Sequence, residues 1–170
     1  MRIVIAYNAL TVAHYLTGCC AIAVAYQSRQ VLGLPLALAY LVFSVTQRYV
    51  LLPTTVCPGC VYRAYANARC LSAINLLSTR LNPSRTEIEQ FGQRASGRLC
   101  HSNLHLGSLA LPAVLVVPGL SLWFSWLGIV LVLVAIALAV LQLAVVVRRW
   151  GCPRCLARRW CPTARKMRLA

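Results

Sequence analysis

Nine cysteines stand in this chain of 170 residues, and four of them fall in two matching heptapeptides. Cys57-Pro58-Gly59-Cys60-Val61-Tyr62-Arg63 and Cys152-Pro153-Arg154-Cys155-Leu156-Ala157-Arg158 share the pattern C-P-x-C-[VL]-x-R, 95 residues apart. A C-x-x-C turn lets two thiolates grip one ion while backbone N–H groups point at the sulfurs. Two such turns complete a tetrahedral site of four thiolates, the usual structural zinc arrangement. The spacing therefore predicts a zinc site built from Cys57, Cys60, Cys152 and Cys155. Cys70, Cys100 and Cys161, with His101 as a fourth ligand, supply the donors for a second site.

Rival chemistries use the same residues. The C-P-x-C spelling resembles that of zinc ribbons and rubredoxins, which implies metal held by thiolate. Cys161-Pro162 after Cys152 and Cys155 is similar to the C-P ending of bacterial ferredoxin runs, which implies an iron–sulfur cluster, but the spacing C-x2-C-x5-C-P departs from that pattern. Redox-active or metal-free thiols are the third reading. Cys19 and Cys20 sit inside an apolar run and read as small hydrophobes. His14, in the same run, reads as an interhelical hydrogen-bond partner. His105 follows His101 by one helical turn, a spacing that can chelate, but no Glu adjoins His101 to make a protease motif.

The elements that must position these groups are apolar. The chain is 60% hydrophobic and 11% charged, against about 25% charged in soluble domains. That composition predicts an all-α integral membrane protein with four transmembrane helices arranged as two hairpins. The first segment, 3–26, is long enough to cross a core of about 30 Å. Asn8, Thr11, Tyr15, Gly18 and Cys19 share one side of it, with His14 at the margin, and that side should face the bundle. Its Leu16-Thr17-Gly18-Cys19 resembles a lipobox and Ala23-Val24-Ala25 a signal-peptidase site, but a single Arg2 and the interrupting Asn8 and His14 argue for a retained span. A polar turn at 27–30 leads to the second segment, which runs from 31 to 53 with Pro35 in its first turns and Arg48 placed to snorkel to the headgroups. Residues 104–147 are apolar throughout, and Pro118-Gly119 marks the expected break between a third and a fourth span.

This divides the chain into a transmembrane hairpin at 1–53, a Cys- and Arg-rich loop at 54–103, a second hairpin at 104–147 and a basic tail at 148–170. In the loop, Leu71, Ile74, Leu77 and Leu81 recur at helical spacing and predict a short amphipathic helix at the interface. Ser84 with Glu87 is a capping box for another.

Charge decides which side the cysteines face. Sixteen Arg and one Lys oppose only Glu87 and Glu89, a net charge of +15. Arg2, Arg63, Arg69, Arg80, Arg85, Arg94, Arg98 and the whole tail fall on one side of a four-span arrangement, and Arg29 alone on the other. The positive-inside rule places the loop, the tail and both termini in the cytoplasm, in a plasma-membrane setting. Seven cysteines then face a reducing compartment, where metal ligation or regulated thiol chemistry is favoured over disulfides. The cations lie between and after apolar runs, which favours lipid, and anionic lipids at the loop and tail in particular, over nucleic acid. A membrane protein partner or a second copy of the chain completes the expected contacts.

Four spans with C-x-x-C pairs resemble vitamin K epoxide reductase and the bacterial quinone-linked disulfide-forming enzymes in size and span count. Their working cysteines face the oxidising side, whereas the charge bias here points inward. The expected function is thus a membrane assembly, docking or sensing component with a cytoplasmic cysteine-knuckle metal site. A membrane thiol/disulfide oxidoreductase is the alternative. A metal transporter is the third, disfavoured because no span carries a carboxylate.

Overall fold

The computed structural model describes residues 2–63, 70–82, 101–156, 158–159 and 165. Cys100 and Cys161, the side chain of His101 and the capping-box helix expected after Ser84 lie outside the described residues. The described chain is helical without a strand, and four of its helices are long and apolar enough to cross a membrane: Arg2–Ala25, Val31–Thr55, Leu104–Leu122 and Trp126–Arg154.

Helix α1 (Arg2–Ala25) is the centre of the bundle, packed against α2 (Gln30–Thr46), α4 (His101–Leu122) and α5 (Trp126–Val140). Between them α3 (Ile74–Leu81) docks on the end of the second span. The distribution of polarity is the reverse of a soluble bundle. Val31, Val42, Val117, Trp126, Leu127 and Leu133 are exposed, while Thr11, His14, Ser44, Gln47, Arg48, Ser108 and Gln142 are wholly buried. A polar interior behind an apolar exterior is what lipid demands, because polar side chains there must find partners within the protein. The face of α1 read from its spacing does point inward: Thr11, Tyr15 and Gly18 are buried.

Close approach to α1 needs small residues. A Cβ added at Gly18 would stand 2.7 Å from Pro112 Cγ and 3.0 Å from the Tyr40 hydroxyl. At Gly119 it would meet Ala25 Cβ, the Ala25 carbonyl oxygen and Tyr26 Cε2, each at 2.9 Å.

This explains a correction to the expected break. Pro118-Gly119 does not end the third span: α4 runs through Pro112 and Pro118 to Leu122. Gly119 serves as a contact surface for α1 rather than as a turn, and prolines are tolerated in apolar helices where neighbours satisfy the freed carbonyls. The chain turns instead at 123–125, where the Ser125 hydroxyl caps α5 by accepting from the Gly128 N–H at 3.3 Å.

One further expectation changes. Arg48 does not reach outward; it is fully buried between helices. In the short helix of the loop, Ile74 of the predicted stripe faces the protein, Leu77 is half-buried and Leu81 is exposed. Ile74, Asn75 and Ser78 are buried, and Leu76 and Leu81 are exposed. Ser78 donates to the Pro53 carbonyl at 2.6 Å, and Ile74 packs in an apolar cluster with Leu52 and Val56, so α3 is docked by both.

Candidate functional site: a latched pair of cysteine turns

Both C-P-x-C segments are built the same way. Each span widens into a π-helix before its turn: Gln47–Leu51, followed by a helical turn at Leu52–Thr55, in the second span, and Leu141–Gly151, leading directly to Cys152, in the fourth. Such wide turns are uncommon and cluster at functional sites. Cys57–Gly59 and Cys152–Arg154 each form one 3-10 turn with proline in its first turn, where the missing N–H is not needed. The Cys60 N–H donates to the Cys57 carbonyl at 3.0 Å, and the Cys155 N–H to the Cys152 carbonyl at 3.1 Å. The chain then leaves extended, at φ −75°, ψ 136° for Cys60 and φ −79°, ψ 126° for Cys155. The sequence repeat is a repeat of backbone conformation.

The two turns meet. Leu52, Val56, Cys57, Val61, Tyr62 and Ile74 form a buried cluster, and Cys60, Cys70 and Cys155 pack against it. Tyr62 is the joint. Its hydroxyl accepts from the Leu156 N–H at 3.0 Å, tying the residue after Cys60-Val61 to the residue after Cys155 across 94 positions of sequence. Burial pushes the Tyr62 phenol above its ordinary value of 10.0, and the Cys155 thiol hydrogen-bonded to it pushes in the same direction. The phenol is therefore neutral at physiological pH. Cys70 is set by its own loop: its N–H donates to Asn75 Oδ1 at 3.1 Å, and its sulfur lies 3.4 Å from the Ser72 hydroxyl.

The cysteines of the expected four-thiolate site thus share one end of the bundle, with Cys57 buried and Cys60, Cys152 and Cys155 partly exposed. Among the described residues, however, no group of three or more His, Cys, Asp or Glu converges closely enough to hold a metal ion. Cys70 of the expected second site joins the first cluster. His105 does not; it is buried in the bundle, 3.4 Å from the Tyr7 hydroxyl and 3.4 Å from Gln142 Nε2.

Beneath the turns lies a buried polar chain. The Arg48 guanidinium donates from Nη2 to Asn8 Oδ1 at 3.2 Å and from Nη1 to the Tyr7 hydroxyl at 3.5 Å, with its Cζ 4.8 Å from the Tyr7 ring centre. Asn8 in turn donates to the Ser72 carbonyl at 3.2 Å, which connects the buried cation to the loop that carries Cys70. Deeper, Gln47 donates to the Tyr15 hydroxyl at 3.0 Å and Gln142 to the Thr11 hydroxyl at 2.8 Å. His14 Nδ1 lies 2.9 Å from the Ala135 carbonyl; since a carbonyl only accepts, Nδ1 carries the proton. His14 is thus the interhelical partner its place in an apolar run suggested.

Sequence reasoning missed Tyr62 and the burial of Arg48. Tyr62 had a signal: it occupies one of the two variable positions of the repeat, where the second copy has Ala157, so the two copies are not interchangeable. Comparison with family models, with curated proteins and with solved structures found no match.

Proposed function

We propose that this chain is a four-span membrane protein whose two hairpins present the paired C-P-x-C turns on the cytoplasmic side as a thiol clasp. The clasp takes a soft metal ion, zinc before iron–sulfur, and serves a membrane assembly, docking or sensing role. The observation that carries this reading is the latch: two turns of the same conformation are held together by the Tyr62–Leu156 hydrogen bond. Two such turns supply the four thiolates of a closed structural site. The uneven distribution of arginines supports the cytoplasmic placement.

A second reading, thiol/disulfide exchange, is favoured by a different observation, that no three of the described ligands converge on one point. One experiment separates the two. The purified full chain is assayed for zinc and iron, beside the Cys57→Ser/Cys152→Ser double variant. Stoichiometric metal, lost in the double variant, is the expected result. Metal-free protein whose Cys57–Cys60 pair cycles between thiol and disulfide with a quinone would overturn the clasp in favour of exchange. Reaction of Cys57 with an impermeant thiol reagent in intact cells would overturn the cytoplasmic placement.

A further inference from the structure

The end of the fourth span carries a second feature, which adjoins the clasp and shares Cys155 with it. A cleft of about 420 Å³ opens there, lined by Val61, Pro153, Arg154, Leu156, Arg158 and Arg159, with Cys155 at its wall. Three arginines from six consecutive residues line this cleft. Arg158 is half-buried, and its Nη1 donates to the Pro153 carbonyl at 3.3 Å, across the same cleft wall. Arg165 donates to the Arg159 carbonyl at 3.2 Å and adds a further cation at the rim.

These charges have almost no counterions within the chain. Glu87 and Glu89 are its only acidic side chains against 17 cations, and residues 148–170 contain none. Like charges gathered at one cleft repel, so an anion bound among them is favoured. The donors choose its type: planar guanidinium forks match the oxygens of phosphate, and prior fixing of a side chain lowers the entropy lost on binding. The surroundings narrow it further. Arg154 ends a helix long and apolar enough to cross a membrane, and Val61 and Leu156, the equivalent positions of the two repeats, add an apolar wall.

We infer that Arg154, Arg158 and Arg159 form a binding cleft for a phosphate group, which at this depth is the headgroup phosphate of an anionic phospholipid. The cleft's cations are arginines and the clasp's donors are thiols, so the two sites meet at Cys155 but use different groups.

The test uses the full chain in neutral detergent, with and without a metal chelator, and native mass spectrometry to read retained ligand. The probes are phosphatidic acid, phosphatidylcholine, inorganic phosphate and a short single-stranded oligonucleotide. Arg154→Gln/Arg158→Gln/Arg159→Gln is compared with Arg2→Gln/Arg148→Gln/Arg149→Gln, which removes equal charge from exposed positions. The expected result is retention of phosphatidic acid over phosphatidylcholine, weakened at least tenfold in the cleft variant and under threefold in the control. Retention of inorganic phosphate alone, lost in the same variant, supports the phosphate chemistry and changes its source. Equal weakening in both variants, or tighter retention of the oligonucleotide than of the lipid, overturns the cleft.

Discussion

Two glycines of one helix should respond to the same substitution with opposite signs. Gly119→Ala places a methyl group 2.9 Å from Ala25 Cβ, from the Ala25 carbonyl oxygen and from Tyr26 Cε2. Ordinary contact begins near 3.4 Å, so each neighbour must retreat by about half an ångström. None can do so by changing rotamer. Ala25 has none to change, its carbonyl is backbone, and the Tyr26 ring is anchored by its hydroxyl donating to the Leu115 carbonyl at 3.1 Å. Helix α4 must therefore move off α1, at the overpacking cost of about 1–3 kcal/mol. Gly107 lies on the same helix with nothing within 4 Å of an added Cβ. Gly107→Ala should stabilise by about 0.5–1 kcal/mol, the helix preference of alanine over glycine. Both sites gain the same helix preference, so the two variants should differ by the overpacking cost, roughly 1–3 kcal/mol in unfolding free energy, measured by denaturing-detergent titration of the purified protein. If Gly119→Ala is as stable as the parent, or if both changes have the same sign, the close packing of α4 on α1 is wrong.

Two other outcomes follow from buried contacts. Asn8→Leu should cost about 1–3 kcal/mol because it removes the Oδ1 acceptor of a buried cation, and adding Arg48→Met should recover much of the loss. A double-mutant cycle should give a coupling above about 0.5 kcal/mol, and a coupling of zero would disprove the contact. Tyr62→Phe should cost about 0.5–1.5 kcal/mol by leaving the Leu156 N–H unsatisfied. Because burial raises the Tyr62 phenol above 10.0 in the folded chain, its contribution is fully present below pH 10 and is lost as pH rises through the higher folded value. The stability gap between parent and variant should be flat at neutral pH and shrink in alkali; a gap that widens there refutes the assignment.

The parts of this fold that depend on local pattern were legible in the sequence, and the parts that depend on distant partners were not. Hydropathy located four helices, and the spacing of Thr11, Tyr15 and Gly18 identified the inward face of α1. Pro118-Gly119 misled because a turn and a close helix contact call for the same small residue. Only Ala25 and Tyr26, on another helix, decide between them. Arg48 misled similarly: its position near a helix end favours an outward side chain, but Tyr7 and Asn8 supply partners inside. At the cysteine turns the repeat was plain, whereas the hydrogen bond that joins its copies spans 94 residues and leaves no local pattern.

The arginines around the cleft also make this end of the molecule an electrical load. Carrying one elementary charge across a potential of 100 mV takes about 2.3 kcal/mol. The tail at 148–170 holds eight cations and no acid, so drawing it through such a field would take roughly 18 kcal/mol. Bare insertion energies of the guanidinium groups add to that barrier. On the proposed cytoplasmic placement of the tail, a potential that is negative inside opposes its passage to the other face of an energised bilayer.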